Sequence, residues 1–226
     1  MKNILSTKLL TPHQKTILNE AGIHLQEYQA INITPKEFQL PAGFDNYIFT
    51  SQNAVEAFNR HLSDFQKNRE SGKACFCVGE KTRLLLENNG QKVAKVSQNA
   101  ADLAYFIAKY HKNESFLFFC GNRRMDDLPG ILTKNKLHFK EITVYDTELN
   151  PQHFSESFDG VLFFSPSGVK SFAMSNEIGR SVAFCIGNTT AKEATLYTDS
   201  IIVPDTPTIE NLLKKVISHN NLSLKK

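Results

Sequence analysis

The sequence lacks the motifs that identify the commonest nucleotide-binding and hydrolytic sites. No stretch of the 226-residue chain has the pattern GxGxxG, GxSxG, or GxxxxGK followed by Ser or Thr, and no pair of acids is spaced for hydrolysis. The histidines show neither HxxxH nor HExxH spacing, and the cysteines form no CxxC pair. We therefore expect no metal site.

Long apolar runs and a strong excess of one charge are also missing. No run approaches the length that spans a membrane, and the first residues carry no apolar signal segment. The chain has 26 Lys and Arg against 23 Asp and Glu, a formal net charge of +3. This charge is too small to argue for nucleic acid and is compatible with an anionic small substrate. We expect a cytoplasmic protein that binds neither nucleic acid nor membrane.

The few cysteines are predicted to be structural. Cys75, Cys77, Cys120 and Cys185 all lie inside apolar runs of the sequence. Free cysteine behaves as a small hydrophobic residue in such surroundings. We therefore predict four buried free thiols that catalysis does not need.

The sequence does contain a repeated strand–turn–helix pattern. Residues 161–164 form an apolar run typical of a strand buried on both faces, and the turn SPSG then leads into a helix predicted to begin near Gly168. Residues 47–58, YIFTSQNAVEAF, show the same pattern. Strands alternate with helices along the rest of the chain, which predicts an α/β protein with parallel sheets covered on both faces.

The pattern also indicates an internal duplication. FTSQNAVEAF returns as FSPSGVKSF roughly 110 residues later, and CFCVGEKTRLL returns as AFCIGNTTAKEA at a similar offset. The segment NILST, with the helix predicted to follow it and to end near Gly22, returns as FLFFCGNRRMDDL. The chain is therefore predicted to contain two α/β units, and the repeat alone would divide them near residue 113.

The turns after the predicted strands are rich in hydroxyl groups, Gly and Asn. At helix N-termini such turns offer N–H groups and hydroxyls that suit carboxylates or phosphates. A single turn of this kind can be no more than a helix cap, but five turns in two matching units can converge on one cleft. The candidate binding residues are Thr50, Ser51, Gly79, Thr82, Gly121, Asn122, Arg123, Ser165, Ser167, Gly168, Gly187, Thr189 and Thr190.

Tyr145 is the candidate for a weak acid. It ends the strand predicted over residues 139–145 and begins a polar connector. The alternative is a tyrosine at the end of a sheet whose hydroxyl only contacts water.

Six segments taken in order resemble the uroporphyrinogen-III synthase family: IFTSQNAVEAF, VGEKT, CGNRRMDDLPGIL, ITVYDT, LFFSPSGVKSF and IGNTTAKEA. The resemblance implies cyclisation of linear hydroxymethylbilane, with inversion of the last pyrrole ring and loss of water, and without a cofactor. This substrate carries eight carboxylates, which agrees with the anion-binding turns. The family's tyrosine near the cleft corresponds to Tyr145, and its cleft-facing turns correspond to the candidate hydroxyl turns.

The resemblance also implies a discontinuous domain arrangement, which replaces the division near residue 113. Residues 1–30 and 155–226 would form one domain and residues 38–144 the other, with connectors at 31–37 and 145–154. We thus expect two flavodoxin-like domains joined by a two-stranded connector, with a cleft between them, in a monomer.

Two other functions are weighed against this interpretation. A non-catalytic two-domain protein could bind a polyanionic small molecule, although the lack of an export signal counts against the usual extracytoplasmic kind. A regulatory pair of flavodoxin-like domains would need an acidic phosphoacceptor cluster at the strand ends, and the sequence has none.

Overall fold

A computed structural model describes residues 2–62 and 72–223, which form eleven strands and eight helices. The strands are β1 (Lys2–Ser6), β2 (Ile23–Glu27), β3 (Ile31–Pro35), β4 (Asn46–Phe49), β5 (Ala74–Val78), β6 (Lys92–Ser97), β7 (Ser115–Gly121), β8 (His138–Leu149), β9 (Gly160–Phe163), β10 (Val182–Cys185) and β11 (Ile201–Ile202). The helices are α1 (Pro12–Glu20), α2 (Gln52–His61), α3 (Glu80–Asn88), α4 (Ala100–Tyr110), α5 (Asp127–Lys134), α6 (Pro166–Ala173), α7 (Asn188–Ala194) and α8 (Ile209–Ser223). The polar tract at 64–73, predicted as a surface loop, lies almost entirely outside the described residues.

Contacts divide the chain into two units. Unit 1 comprises Met1–Asn32 and Glu148–Lys226, and unit 2 comprises Ile33–Thr147. Strand β1 belongs with the C-terminal part of the chain, since Ile4 pairs with Gly160 in β9. The cleft expected from the sequence stays a prediction.

Unit 1 is built on a parallel sheet with the strand order β11-β10-β9-β1-β2. Helices α1 and α8 cover one face through residues such as Leu18 and Leu212. Helices α6 and α7 cover the other face, where Phe172 and Ala194 are buried. The sheet is thus apolar on both faces, as the continuous apolar runs predicted.

Unit 2 is built on a sheet with the strand order β3-β8-β7-β4-β5-β6. Helices α2 and α3 cover one face and α4 and α5 the other. The core on the α2 face is aromatic, with the ring of Phe58 centred 4.8 Å from Phe119 and 5.4 Å from Phe49. Such edge-to-face pairs add to the stabilisation that burial alone provides.

Five strands in each sheet follow the same spatial arrangement, but the chain enters this arrangement at a different strand in each unit. In chain order the strands of unit 1 lie 2-1-3-4-5 across the sheet, which is the flavodoxin order, and strands β4 to β8 of unit 2 lie 3-2-1-4-5. The orders coincide when β4 and β5 are matched with β9 and β10, and β7 with β1. In that match Phe49 pairs with Cys77 as Phe163 pairs with Cys185. The predicted α/β class with parallel sheets is confirmed.

The polar connectors contain more strand than the sequence indicated. Strand β3 reaches Pro35 and lies beside β8, and β8 continues to Leu149. The prediction that this strand ends at Tyr145 is wrong. The backbone beyond it keeps hydrogen-bond partners, since Thr147 N–H donates to the Asn122 side-chain oxygen at 2.8 Å.

No helix among the residues that the structure describes is both long and apolar enough to cross a membrane.

Candidate functional site

The predicted turns gather at the carboxyl edge of each sheet, unit by unit. Parallel strands all point the same way, so the turns that follow them lie along one edge. In unit 2 these turns follow β4, β5 and β7, and in unit 1 they follow β9 and β10. Each edge therefore presents its own set of hydroxyl groups and helix N-termini.

In unit 2 the centre of this edge is a contact between Ser51 and Tyr145. Ser51 is the N-cap of α2, and its Oγ accepts a hydrogen bond from Ala54 N–H at 3.2 Å. The same oxygen lies 3.1 Å from the phenolic oxygen of Tyr145. Thr50, beside Ser51, is half-buried. The two residues singled out separately in the sequence thus form one hydrogen-bonded pair.

The surroundings of Tyr145 raise the pKa of its phenol further above neutral pH. Burial raises its pKa above the ordinary value, while hydrogen bonds with the side chains of Ser51 and Asn53 lower it, and burial is the larger effect. At neutral pH this side chain is a hydrogen-bond donor and not a phenolate.

Next to Tyr145, the turn after β7 is used partly for structure. The Asn122 side-chain oxygen accepts from Thr147 N–H at 2.8 Å, and Arg123 Nε donates to the Thr147 carbonyl at 3.0 Å. Both residues are exposed, whereas Gly121 is buried. Arg124, which the sequence analysis left out, forms ion pairs with Glu141 and Asp126.

The turns after β5 and β10 do not present all their predicted hydroxyls. Thr82 is only 4% exposed and Thr190 only 3%. The helices begin directly after Gly79 and Gly187, so the third helical residue already turns towards the core. The expectation that these two hydroxyls lie in open turns is wrong; the neighbouring Thr189 is exposed.

Unit 1 has a matching N-cap without a tyrosine. Ser165 caps α6, and its Oγ accepts from Gly168 N–H at 3.1 Å. The helix begins at Pro166, two residues before the predicted start, so Ser167 and Gly168 lie in its first turn. Ser165 and Ser167 are half-buried.

The sequence analysis missed Thr7 at this edge. Its hydroxyl donates to the Leu162 carbonyl at 2.7 Å, and it lies 3.4 Å from where a Cβ on Gly168 would be. The signal available in the sequence was the pair Ser6-Thr7 at the end of the first apolar run. Thr7 ties β1 to the turn of β9.

All four cysteines are free and buried, as predicted. Burial raises the pKa of Cys75 and Cys185 to about 12 and that of Cys77 and Cys120 to about 11. The thiols are therefore protonated at neutral pH, and reactivity requires the thiolate.

A separate cavity of about 540 Å³ lies at the opposite edge of the unit 1 sheet. It is lined by residues that precede β9 and β10 and by the end of α6, among them His153, Phe158, Asn176 and Arg180. None of the predicted site residues lines it. The predicted donors lie instead at the carboxyl edges of the two sheets. Within the described part of the chain, no three His, Cys, Asp or Glu side chains are grouped to hold a metal ion.

These features define a class of protein, an α/β protein with two parallel sheets whose carboxyl edges offer hydroxyls and helix N-termini to anionic ligands. A family model described as uroporphyrinogen-III synthase HemD matches residues 15–214 of the chain. The chain therefore belongs to the uroporphyrinogen-III synthase family, whose members are lyases.

Similar proteins agree with this family. The porphyrin biosynthesis protein HemD of Ruminiclostridium josui is 23% identical over 96% of the chain, and the chain spans about half (49%) of that relative's length. The crystal structure of uroporphyrinogen-III synthetase from Helicobacter pylori has a TM-score of 0.74 at 21% identity, covering 97% of this chain and 100% of that one. A mutant uroporphyrinogen III synthase from Thermus thermophilus has a TM-score of 0.73 at 11% identity, with full coverage of both chains. At these identities the structures show the shared fold.

Proposed function

We propose that this protein cyclises hydroxymethylbilane to uroporphyrinogen III, inverting the last pyrrole ring and releasing water. The observation that carries the proposal is the family match over residues 15–214. The two carboxyl edges support it, because they offer neutral donors to a substrate rich in carboxylates. The reaction as proposed needs no cofactor.

Carboxylates would be held by the capped helix N-termini and the neighbouring hydroxyls. The N-termini of α2 and α6 expose N–H groups and the positive end of the helix dipole to an anion. The hydroxyl of Ser165 accepts from its own helix and is still able to donate to a carboxylate, whereas the Ser51 hydroxyl is already shared with Tyr145. Charge-assisted hydrogen bonds of this kind are stronger than neutral ones. Thr50, Ser167 and Thr189 would add further donors, and exposed Arg123 would add a positive charge.

Orientation of the chain of pyrroles would be the main catalytic effect. Loss of the terminal hydroxyl gives a reactive azafulvene, and the linear substrate can also close without help to the wrong isomer. A protein that fixes the geometry of the reacting ends lowers the entropic part of the activation barrier. The binding energy of other parts of the substrate offsets the cost of this ordering. Several contacts to the substrate's carboxylates suit this task better than a single strong acid.

Tyr145 would assist the departing hydroxyl as a neutral donor. The phenol is protonated at neutral pH and burial raises its pKa further, so the side chain can donate a hydrogen bond to the leaving oxygen. A carboxylic acid group of the substrate is the alternative source of the proton. Replacement of Tyr145 distinguishes the two, as described in the Discussion.

The test is an isomer assay with freshly generated hydroxymethylbilane. We expect the protein to yield mainly the type III uroporphyrinogen, whereas a reaction without protein yields the type I isomer. If the protein leaves the isomer ratio unchanged, the proposal fails. Calorimetric binding of hydroxymethylbilane without turnover would then favour the non-catalytic polyanion-binding protein.

The proposal includes a cytoplasmic monomer that acts without nucleic acid or membrane. The balanced charge of the chain supports the absence of a nucleic-acid partner. Size-exclusion chromatography with light scattering at assay concentration tests the oligomeric state, and a dimer mass would contradict that part.

A further inference from the structure

The side-chain alternation of β8 reverses at Tyr145. Ile142 and Val144 both pack into the core on the α2 face, and Thr143 between them is exposed. In a regular strand the residue after Val144 would point to the other face. Tyr145 nevertheless packs against the same core cluster as Val144. Two consecutive residues therefore face α2.

An irregularity in strand pairing accounts for the reversal. Cys120 pairs with Thr143, but the next residue of β7, Gly121, pairs with Tyr145 and skips Val144. One residue of β7 is thus opposed by two of β8, which is the arrangement of a β-bulge. A bulge of this kind redirects the side chain that follows it. Here it directs the phenol towards the N-terminus of α2.

The ring of Tyr145 occupies the space that a side chain on Gly121 would need. A Cβ placed on Gly121 would lie 2.5 Å from two ring carbons of Tyr145 and 2.9 Å from its hydroxyl oxygen. These distances are shorter than real Cβ contacts, so the ring would have to move. Gly121 does not have a positive φ, so its backbone conformation is open to any residue. Glycine is required at this position because any side chain would collide with the Tyr145 ring.

The phenol is also held by Ser51, whose Oγ lies 3.1 Å from the phenolic oxygen. Ser51 is itself fixed by its hydrogen bond to Ala54 N–H. The phenol is therefore confined between a bare backbone and a helix cap.

We propose that Gly121, together with the bulge beside it, is a positioning residue that sets the Tyr145 phenol against Ser51 for its part in the reaction. The proposal rests on the proposed function, because it deepens the role given there to Tyr145. The geometric part, that Gly121 decides where the phenol lies, can be tested without turnover.

The first test follows the phenol by NMR with tyrosine labelled with ¹³C at Cζ. The chain has six tyrosines, and the resonance of Tyr145 is the one that Tyr145→Phe removes. We expect Gly121→Ala to shift that resonance and to leave the others in place. An unmoved Tyr145 resonance in folded Gly121→Ala would overturn the proposal.

Two other glycines provide matched controls. Gly130 lies in α5 with no atom within 4 Å of a Cβ, so Gly130→Ala should change neither the resonance nor the activity. Gly160 in unit 1 resembles Gly121, since its Cβ would lie 2.6 Å from the Phe184 ring. Gly160→Ala therefore tests for a general effect of strain in a strand, and it should leave the Tyr145 resonance unmoved.

The second test uses turnover. Gly121→Ala should lower kcat by on the order of 10- to 1000-fold with little change in KM, as expected for loss of an acid or hydrogen-bond donor in the transition state. In a Tyr145→Phe background the same change should cost less than about 3-fold, because residues that act as a unit are not additive. Equal losses in both backgrounds would contradict a role through Tyr145.

A folding defect in Gly121→Ala would leave the geometric part testable. Tyr145→Ala removes the ring, so the double variant Gly121→Ala/Tyr145→Ala should unfold at the same urea concentration as Tyr145→Ala alone. If Gly121→Ala lowers the midpoint as much in this background as in the parent protein, the contact with the ring does not explain the glycine.

The outcomes separate the two proposals. A shifted resonance in Gly121→Ala with full activity in Tyr145→Phe would retain the positioning geometry and refute the catalytic role of Tyr145. Absence of type III product from the parent protein, with the resonance shift present, would refute the proposed function alone.

Discussion

The capping turns of α2 and α6 use the same type of hydrogen bond and differ in the side chains that contact the capping serine. In unit 2 the Ser51 hydroxyl meets both Ala54 N–H and the Tyr145 phenol. In unit 1 the Ser165 hydroxyl meets Gly168 N–H at nearly the same distance. Its hydrogen bonds include no tyrosine within the described residues.

The neighbouring strands explain the difference. One of the two strands beside β9 is β1, which brings the small hydroxyl of Thr7 to the edge. The corresponding strand in unit 2, β7, runs on to Gly121 and pairs there with Tyr145. The cap in unit 2 is thus within hydrogen-bond distance of a titratable phenol, whereas the Thr7 hydroxyl lies at the corresponding edge of unit 1. In the proposed mechanism unit 2 therefore supplies the proton donor and both units bind carboxylates.

The largest expected effects are losses of stability caused by substitutions in the hydrophobic cores of the two units. Phe58 is fully buried among four aromatic rings of unit 2, and Phe172 is 2% exposed in unit 1. We expect each of Phe58→Ala and Phe172→Ala to lower the unfolding free energy by about 3–5 kcal/mol, because each leaves a cavity. Urea denaturation followed by circular dichroism measures the loss. A change under about 1 kcal/mol for either variant would contradict its place in a packed core.

Smaller effects should follow from removing the two caps. Ser51→Ala and Ser165→Ala should each cost about 1 kcal/mol of stability, since both remove the same type of helix cap. Ser165→Ala should also raise KM by about tenfold without changing kcat, because its contact to a carboxylate exists in substrate and transition state alike. A fall in kcat with unchanged KM for Ser165→Ala would contradict the proposal that unit 1 contributes binding and not chemistry.

Ser51→Ala should in addition change the titration of Tyr145. The hydrogen bond with Ser51 lowers the pKa of Tyr145, so its removal should raise that pKa further. Titration of the labelled Tyr145 resonance measures the shift, and Ser165→Ala is the matched control. A lowered pKa in Ser51→Ala would show that the hydrogen bond stabilises the neutral phenol instead.

Alkaline pH should destabilise unit 1 through Tyr28. Burial raises the pKa of Tyr28 from 10.0 to about 12. Between these values the unfolded chain has lost the proton and the folded chain still holds it, so stability falls as pH rises from 10 to about 12. Tyr28→Phe should make this decline shallower in urea denaturation at several pH values. An unchanged slope would contradict the burial effect.

The smallest effect is expected from the cysteines. All four are buried, with the pKa of each raised to about 11 or 12, so a thiol reagent should not modify them in the folded protein. Activity after treatment of the native protein should equal that of the untreated protein, while urea should release four reactive thiols. Loss of turnover in step with one labelled cysteine would be the contrary result.

Local sequence patterns were sufficient for the buried strands and for the caps of α1, α2 and α6. The apolar runs correctly placed the buried strands, and Ser51 and Ser165 follow two of them where a helix begins. Thr11 followed by Pro12 is another local pattern of this kind, and the structure shows there the start of α1 with a capping box to Gln14. These features depend on neighbours within a few residues, which the sequence displays directly.

Features that depend on distant pairing could not be found in this way. The continuation of β8 beyond Tyr145 depends on Asn122 and on strand β3. These partners are distant in sequence, and the polar composition of the segment on its own suggested a connector. The bulge opposite Gly121 is a property of two strands together. Thr82 and Thr190 looked like turn residues because the sequence does not show that the helices begin immediately after the preceding glycines.

The most direct test of the division between the edges is to measure kcat and KM for Tyr145→Phe and Ser165→Ala in the isomer assay. We expect Tyr145→Phe to lose on the order of 10- to 1000-fold in kcat at nearly constant KM, and Ser165→Ala to keep kcat while KM rises. A Tyr145→Phe protein with full kcat would leave proton donation to the substrate's own carboxyl groups and would contradict the assignment of chemistry to unit 2.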